Sequence, residues 1–235
     1  MKIFTTINPN GNFDVQLEAM NSWSNKYEVY SVNTKEEIEK ISSIYTNVKF
    51  IETDITYQYN NKKLIKLNSI LSAIESICKN CDVAIVNSDI ILNDKIKESI
   101  FNKKNDGLTI ATRYELNGDD IYPFTNGYDI FIFNTKYLDL FKNDNYVIGM
   151  PWWDFWIPLV AIKAGLKVYH IKNKVIFHRT HPTNYDGNIW VTFGEYLYKD
   201  IMIGLMKNPM NVSVNEFCVG VKAFIEKKQI NIKLK

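Results

Sequence analysis

No apolar run in this 235-residue chain approaches the roughly 18 residues that a membrane-spanning helix requires. Met1-Lys2-Ile3-Phe4 leads straight into polar residues, so no secretory leader is expected. Charge of one sign is lacking too. The formal net charge is +2, which gives no overall electrostatic case for nucleic acid as a partner. Cysteine is scarce, at Cys78, Cys81 and Cys218 only. Cys78 and Cys81 make a lone C-x-x-C, whereas a zinc site of that kind needs a second pair or added histidines. Reduced, partly buried thiols are the expectation, and they point to a reducing, cytoplasmic setting. Several signatures are missing: G-x-x-x-x-G-K-[ST], G-x-G-x-x-G, G-x-S-x-G and H-E-x-x-H. Their absence counts against P-loop phosphoryl transfer, standard dinucleotide binding and typical serine-hydrolase chemistry.

What is present reads as a folded α/β chain. Hydrophobic residues make up 46% and charged residues 23%, ordinary values for a globular protein, and aromatics reach 14%. The length suits one large domain, or a domain with a helical appendage. Strands are expected at Lys2–Ile7, Glu28–Val32, Val48–Ile51 and Val83–Val86, with helices between them from about Asp14 to Asn25, from Thr34 and from Leu64 to Ile77. Such alternation implies βαβ units and a mainly parallel sheet flanked by helices. Thr34 and Glu37 have capping-box spacing. Residues 54–61 and 115–126 read as polar loops. A short helix near Asp94 to Asn102 precedes a strand at Gly107–Thr112. Tyr128–Phe133, Lys167–His170 and Lys174–Phe177 are further strands. Two C-terminal helices follow Asn188, and the lysine-rich tail is either an edge strand or loose.

Four constellations could carry chemistry. The apolar run Val83–Val86 ends in Asn87-Ser88-Asp89. Ligands of open α/β sheets sit beyond the carboxyl ends of the strands, where a carboxylate can hold a divalent cation and through it a diphosphate. Asp89 could equally cap a turn or helix. Asp154 lies among Trp152, Trp153 and Trp156; the rings could form a wall for a sugar and the carboxylate serve as general base, or Asp154 could be an N-cap and the rings core. His178-Arg179-Thr180-His181 follows a strand and could complete a metal or phosphate site, or be a polar connection. Asp129 sits on an otherwise apolar strand and needs a partner if buried, either a sugar hydroxyl or a backbone group. Arg113 ends the preceding strand and could meet a phosphate or an acidic side chain.

In this order the pieces resemble a GT-A-fold glycosyltransferase over roughly residues 1–185, of the small single-domain kind. No single motif is specific; the ordered set carries the likeness. The resemblance implies one domain over 1–235, with a nucleotide-binding half (1–112), an acceptor and catalytic half (113–185) and C-terminal helices (186–235). It implies a nucleotide-sugar donor, a UDP- or GDP-sugar, a glycan or other hydroxyl acceptor, and Mn²⁺ or Mg²⁺ on the diphosphate. Asp89, with His178 or His181, would be the metal ligands. Thr5, Thr6, Asn8, Lys66, Asn68, Asn87, Ser88, Arg113 and Trp153 would bind the donor. Asp129 would contact donor sugar or acceptor, and Asp154 matches the catalytic base of inverting members. Asn87 departs from the D-x-D pattern and removes a negative charge, which would leave Arg113, Arg179 or Lys66 to share the diphosphate. A sugar-phosphate nucleotidyltransferase is the nearest alternative, although Asn8-Pro9-Asn10-Gly11-Asn12 lacks the glycine- and basic-rich loop such enzymes usually carry. A non-catalytic carbohydrate-binding module is the other.

Overall fold

The sheet is built around the apolar run just described. In β6 (Asp82–Val86), residues 83 to 86 are each no more than 2% exposed, because the strand is covered on both faces and paired on both edges. The structure, a computed structural model, describes residues 1–60, 62–93, 106–124, 126–181, 187–203 and 212–232. The strand order is β3 (Val48–Glu52), β2 (Glu28–Asn33), β1 (Lys2–Thr5), β6, β10 (Ile130–Asn134), β8 (Gly107–Asn117), β11 (Lys167–Arg179) and β12 (Ile230–Ile232). Along this path only β10 runs against its neighbours, so the sheet is mainly parallel as expected. The chain leaves β1 toward β2 on one side, while β6 lies on its other side. The carboxyl ends of β1 and β6 therefore flank a topological switch point, where α/β sheets open a ligand crevice.

Helices cover both faces. On one face, α1 (Phe13–Ser24) buries Val15, Ala19, Met20 and Trp23, and α2 (Lys35–Ile41) starts at the Thr34–Glu37 capping box. On the other face α3 (Leu67–Ile77) sinks Leu67, Ile70, Leu71 and Ile74 completely. Each such side chain contributes about 1.5–3 kcal/mol. That stripe fixes α3, since Lys66 at its N-cap makes no side-chain capping bond. The same face carries α4 (Trp153–Lys163), α5 (Gly187–Leu197) with its π-helical extension Tyr198–Met202, and α6 (Val214–Lys228).

Several local expectations change. Residues 54–61 were expected as loop, yet β4 (Thr56–Tyr59) and β5 (Lys62–Ile65) form a hairpin, because Tyr57 and Tyr59 share a face that packs on the core. The polar stretch 115–126 holds the end of β8 and β9 (Asp120–Pro123), turned through Gly118 at φ +59°. The two short strands after residue 167 are one strand, β11, irregular between Ile171 and Ile176. The tail supplies β12 on the edge of β11. The helix expected near 94–102 lies outside the described residues. Cys78 and Cys81 meet at the turn between α3 and β6 with Cα atoms 6.0 Å apart, within reach of a disulfide. Cys218 is a free, buried thiol. No helix among the described residues is long and apolar enough to cross a membrane.

Candidate active site

The turn after β6 is held from three directions. Asn87 N–H donates to the Asp129 carbonyl (3.1 Å), and Ile90 N–H closes the turn on the Asn87 carbonyl (3.2 Å). The Ser88 hydroxyl donates to Gln16 Oε1 (3.0 Å). The chain then enters β7 (Ile90–Leu92), which pairs antiparallel with β11 and places Ile90 opposite His178. Trp23 Nε1 of α1 donates to the Ile90 carbonyl (2.7 Å) and fixes β7 from outside. This pairing carries Asp89 to the histidines. Asp89 Oδ2 lies 3.3 Å from His178 Nε2 and 3.4 Å from His181 Nε2. Ligand atoms of all three residues fall within 4.8 Å of one another.

One carboxylate and two imidazoles are a donor set suited to a divalent ion. Asp89 Oδ1 is buried and makes no hydrogen bond, so the carboxylate keeps acceptor capacity for a cation. Burial works to raise the Asp89 carboxyl, but its contacts with His178 and His181 outweigh this and hold it well below the usual carboxylate range. Burial likewise opposes charge on His178, yet Asp89 and Glu115 prevail and push it up to about 9. His178 Nδ1 lies 2.8 Å from Glu115 Oε2, both side chains only 6% exposed. A carboxylate can only accept, so Nδ1 carries the proton and Nε2 faces Asp89.

Glu115 joins this group to a second one. Its Oε1 accepts from Arg113 Nε (2.7 Å), and Arg113 Nη1 donates to Asp129 Oδ1 (3.0 Å). Asn87 Nδ2 donates to the same Asp129 oxygen (2.6 Å). Position 87 thus suits a neutral amide: an aspartate there would set two carboxylates in contact. Asp129 Oδ2 is buried without a partner. The preceding residue, Tyr128, donates its N–H to Asp154 Oδ2 (3.2 Å), and Gly127 lies so close to that oxygen that no Cβ fits. Burial, then the Asp129 charge, push Asp154 up to about 7. Asp154 is in the first turn of α4, behind Trp152, whose backbone is left-handed at φ +77°. That strain persists because Trp152 Nε1 donates to the Trp190 carbonyl (2.8 Å) and its ring packs on Phe155, Trp190 and Phe217.

The other expected residues divide. Thr5, Thr6 and Asn8 stand at the carboxyl end of β1. Thr5 Oγ1 is buried and unpartnered, Thr6 Oγ1 accepts from Asn33 Nδ2, and the Asn8 backbone is clasped by the Gln16 amide. Asn68 is committed elsewhere, its amide bonded to Asp144 and to the Asn143 N–H. Lys66 bridges Val147 through its backbone. Trp153 is 3% exposed against Phe131, and Trp152 and Trp156 are as deeply buried, so these rings are core and offer no face to a sugar. Arg113 and Arg179 are each engaged by carboxylates, Arg179 by both oxygens of Glu18. Sequence reading passed over Gln16, Asn33 and Glu115. Arg113 and Glu115 alternate on one face of a strand, which was the available signal for the last.

No family model and no curated protein matches the chain. Among solved structures it is similar to GalNAc-T7, crystallised with UDP, GalNAc and Mn²⁺, at a TM-score of 0.55 and 10% identity over 97% of this chain and 55% of that one. The chain thus spans about half the length of that protein. It is also similar to the inositol-1-phosphate CTP transferase from T. maritima, at a TM-score of 0.48 and 12% identity over 85% of this chain and 96% of that one. Identity at this level concerns the fold alone, the GT-A-like, Rossmann-like α/β architecture.

Proposed function

We propose that the chain transfers a glycosyl group from a nucleotide-diphosphate sugar, a UDP- or GDP-sugar, to a hydroxyl acceptor on a glycan. One observation carries the reading: Asp89, His178 and His181 converge beside the switch point of a GT-A-like sheet, with acceptor capacity left on Asp89. These three residues would hold a divalent cation. Two imidazoles beside one carboxylate suit a transition-metal ion such as Mn²⁺ better than Mg²⁺, which prefers oxygen ligands and water. When bound, such an ion neutralises charge on a leaving diphosphate. Thr5, Thr6 and Asn8 border the same crevice and would contact the nucleotide.

Asp154 is the proposed base. It would take the proton from the acceptor hydroxyl as that oxygen bonds to the anomeric carbon and the bond from that carbon to the diphosphate oxygen breaks. The nucleoside diphosphate leaves and the sugar inverts. A carboxyl near 7 is matched to this task at neutral pH. Asp129, held by Arg113 and Asn87, would offer its remaining oxygen to a sugar hydroxyl.

The test is binding and product analysis together. Titration with Mn²⁺ and UDP or GDP should give metal-dependent nucleotide binding that Asp89→Ala abolishes. Turnover of the matching nucleotide sugar should release nucleoside diphosphate. Release of pyrophosphate from a nucleoside triphosphate and a sugar phosphate would replace this reading with nucleotidyl transfer. Unchanged metal binding in Asp89→Ala would end it.

A further inference from the structure

The face of β8 opposite Arg113 and Glu115 presents Thr112 and Tyr114. Two β11 residues stand beside them. His170 Nε2 is 2.8 Å from Thr112 Oγ1, and the Tyr114 hydroxyl donates to the Lys172 carbonyl (2.8 Å). With Phe124, Tyr128 and the Lys222–Glu226 edge of α6, these residues line a cleft of about 270 Å³.

Three features of the cleft suit it to a ligand. Its walls are aromatic: Tyr128 meets His170 edge-on (5.7 Å between centroids), and the Arg113 guanidinium stacks on the Phe124 ring at 3.7 Å. It also holds an unmet donor. Tyr128 is 5% exposed, its hydroxyl has no hydrogen-bond partner, and burial raises its pKa, so it keeps its proton. His170 Nδ1 is unmet as well, but Gln229 lies beside it, so the argument rests on Tyr128. Finally, two lysines, Lys172 and Lys222, line the cleft. After burial, Lys172 and Lys222 act on His170 and help hold it down at about 4, so the ring is neutral and the positive charge is the lysines'. Glu226, 3.8 Å from Lys222, is the one acid in the lining among the described residues.

We propose that this cleft binds an acidic sugar residue, a hydroxylated ring bearing a carboxylate or a phosphate. The apolar ring face lies on Phe124 or Tyr114, a hydroxyl accepts from Tyr128, and the anionic group meets Lys172 and Lys222. Gly127 lines the cleft and also touches Asp154. Taken with the transfer reading, on which this last step rests, the acceptor is an acidic glycan.

The experiment is calorimetric titration of the full chain with glucuronic acid, glucose 6-phosphate and glucose, each with and without UDP and Mn²⁺. At least one acid should bind ten or more times tighter than glucose. Preference for glucuronic acid assigns a glycan carboxylate, and preference for glucose 6-phosphate assigns a phosphate. The double variant Lys172→Ala/Lys222→Ala should lose that advantage while binding UDP–Mn²⁺ as the parent does, and Tyr128→Phe should weaken binding of the acid severalfold. The lysines are at the surface, so their loss leaves the core intact. Equal binding of acid and neutral sugar, no binding of either acid, or a double variant indistinguishable from the parent overturns the proposal. Loss of UDP–Mn²⁺ binding with the acid preference intact would count against the transfer reading alone.

Discussion

Glu115→Gln tests whether the proposed cation ligands depend on the residue behind them. Glu115 has two oxygens and uses both: Oε1 takes Arg113 Nε at 2.7 Å, and Oε2 takes His178 Nδ1 at 2.8 Å and the Thr180 hydroxyl at 3.3 Å. Glutamine keeps the shape but has only one accepting oxygen. Either Arg113 or His178 must then face an NH₂ group, donor against donor. If His178 is the loser, its ring proton can move to Nε2, the nitrogen that a cation would require. Outer-shell partners of ligating histidines are worth about 10- to 100-fold in metal affinity, or about 1.4 to 2.7 kcal/mol. Mn²⁺ titration followed by calorimetry reads this directly, with circular dichroism to confirm that the variant is folded. A folded Glu115→Gln protein that binds Mn²⁺ within twofold of the parent would refute the coupling and leave Glu115 as a partner of Arg113 only.

Three further outcomes are expected. Asp154→Asn should lower turnover by about 10²–10⁴-fold, and parental turnover should rise with pH through about 7, where the Asp154 carboxyl ionises. Because the folded value lies above the unfolded one near 3.9, the stability that protonated Asp154 contributes is complete below that unfolded value and fades as pH rises through about 7. Thermal melts should therefore favour Asp154→Asn over the parent more at pH 8 than at pH 5. Asn87→Asp, which restores the charge of a D-x-D motif, should destabilise the fold by about 1 to 4 kcal/mol: unit charges 4 Å apart near a protein surface repel by about 4 kcal/mol, and Arg113 offsets part of that. Urea melts should show the deficit shrinking as pH falls; equal or greater stability at pH 8 would contradict the Asn87–Asp129 geometry. Ile70→Ala, at a fully buried position of α3, should cost about 2–5 kcal/mol in the same assay.

The parallel half of the sheet was legible because its signals are local. Val83–Val86 reads as a buried strand, Thr34 and Glu37 announce a helix start, and Ile70 and Ile74 repeat at helical spacing. What escaped depends on distant partners. β7 is only Ile90–Leu92, and it is a strand because residues 176–178 of β11 pair with it and α1 clamps it. The β4–β5 hairpin hides in a polar stretch because its anchor is the tyrosine face packed on the core. The tryptophans around Asp154 carry no mark that separates a core ring from a sugar platform. That distinction came from Phe131, Tyr146 and Trp190, far away in sequence.

The same limit explains the reading of position 87. Taken alone, Asn87 looks like a weakened metal motif. In the fold it is a donor to Asp129, and its neutrality belongs to a charge balance across the whole site. Asp89, Glu115 and Asp129 are three carboxylates, and Arg113 is the guanidinium among them. With both imidazoles neutral, the network carries two negative charges in excess, the charge that one divalent cation at Asp89 would offset. Within it, Asp89 and Glu115 draw a proton onto His178 against the effect of burial, and that ring is pushed up to about 9. A fourth carboxylate at position 87 would raise the excess to three, which one divalent ion would not cancel. Asn87 is therefore no defect in the proposed cation site: it leaves Asp129 bound to Arg113 and Asp89 as the carboxylate that would face an ion.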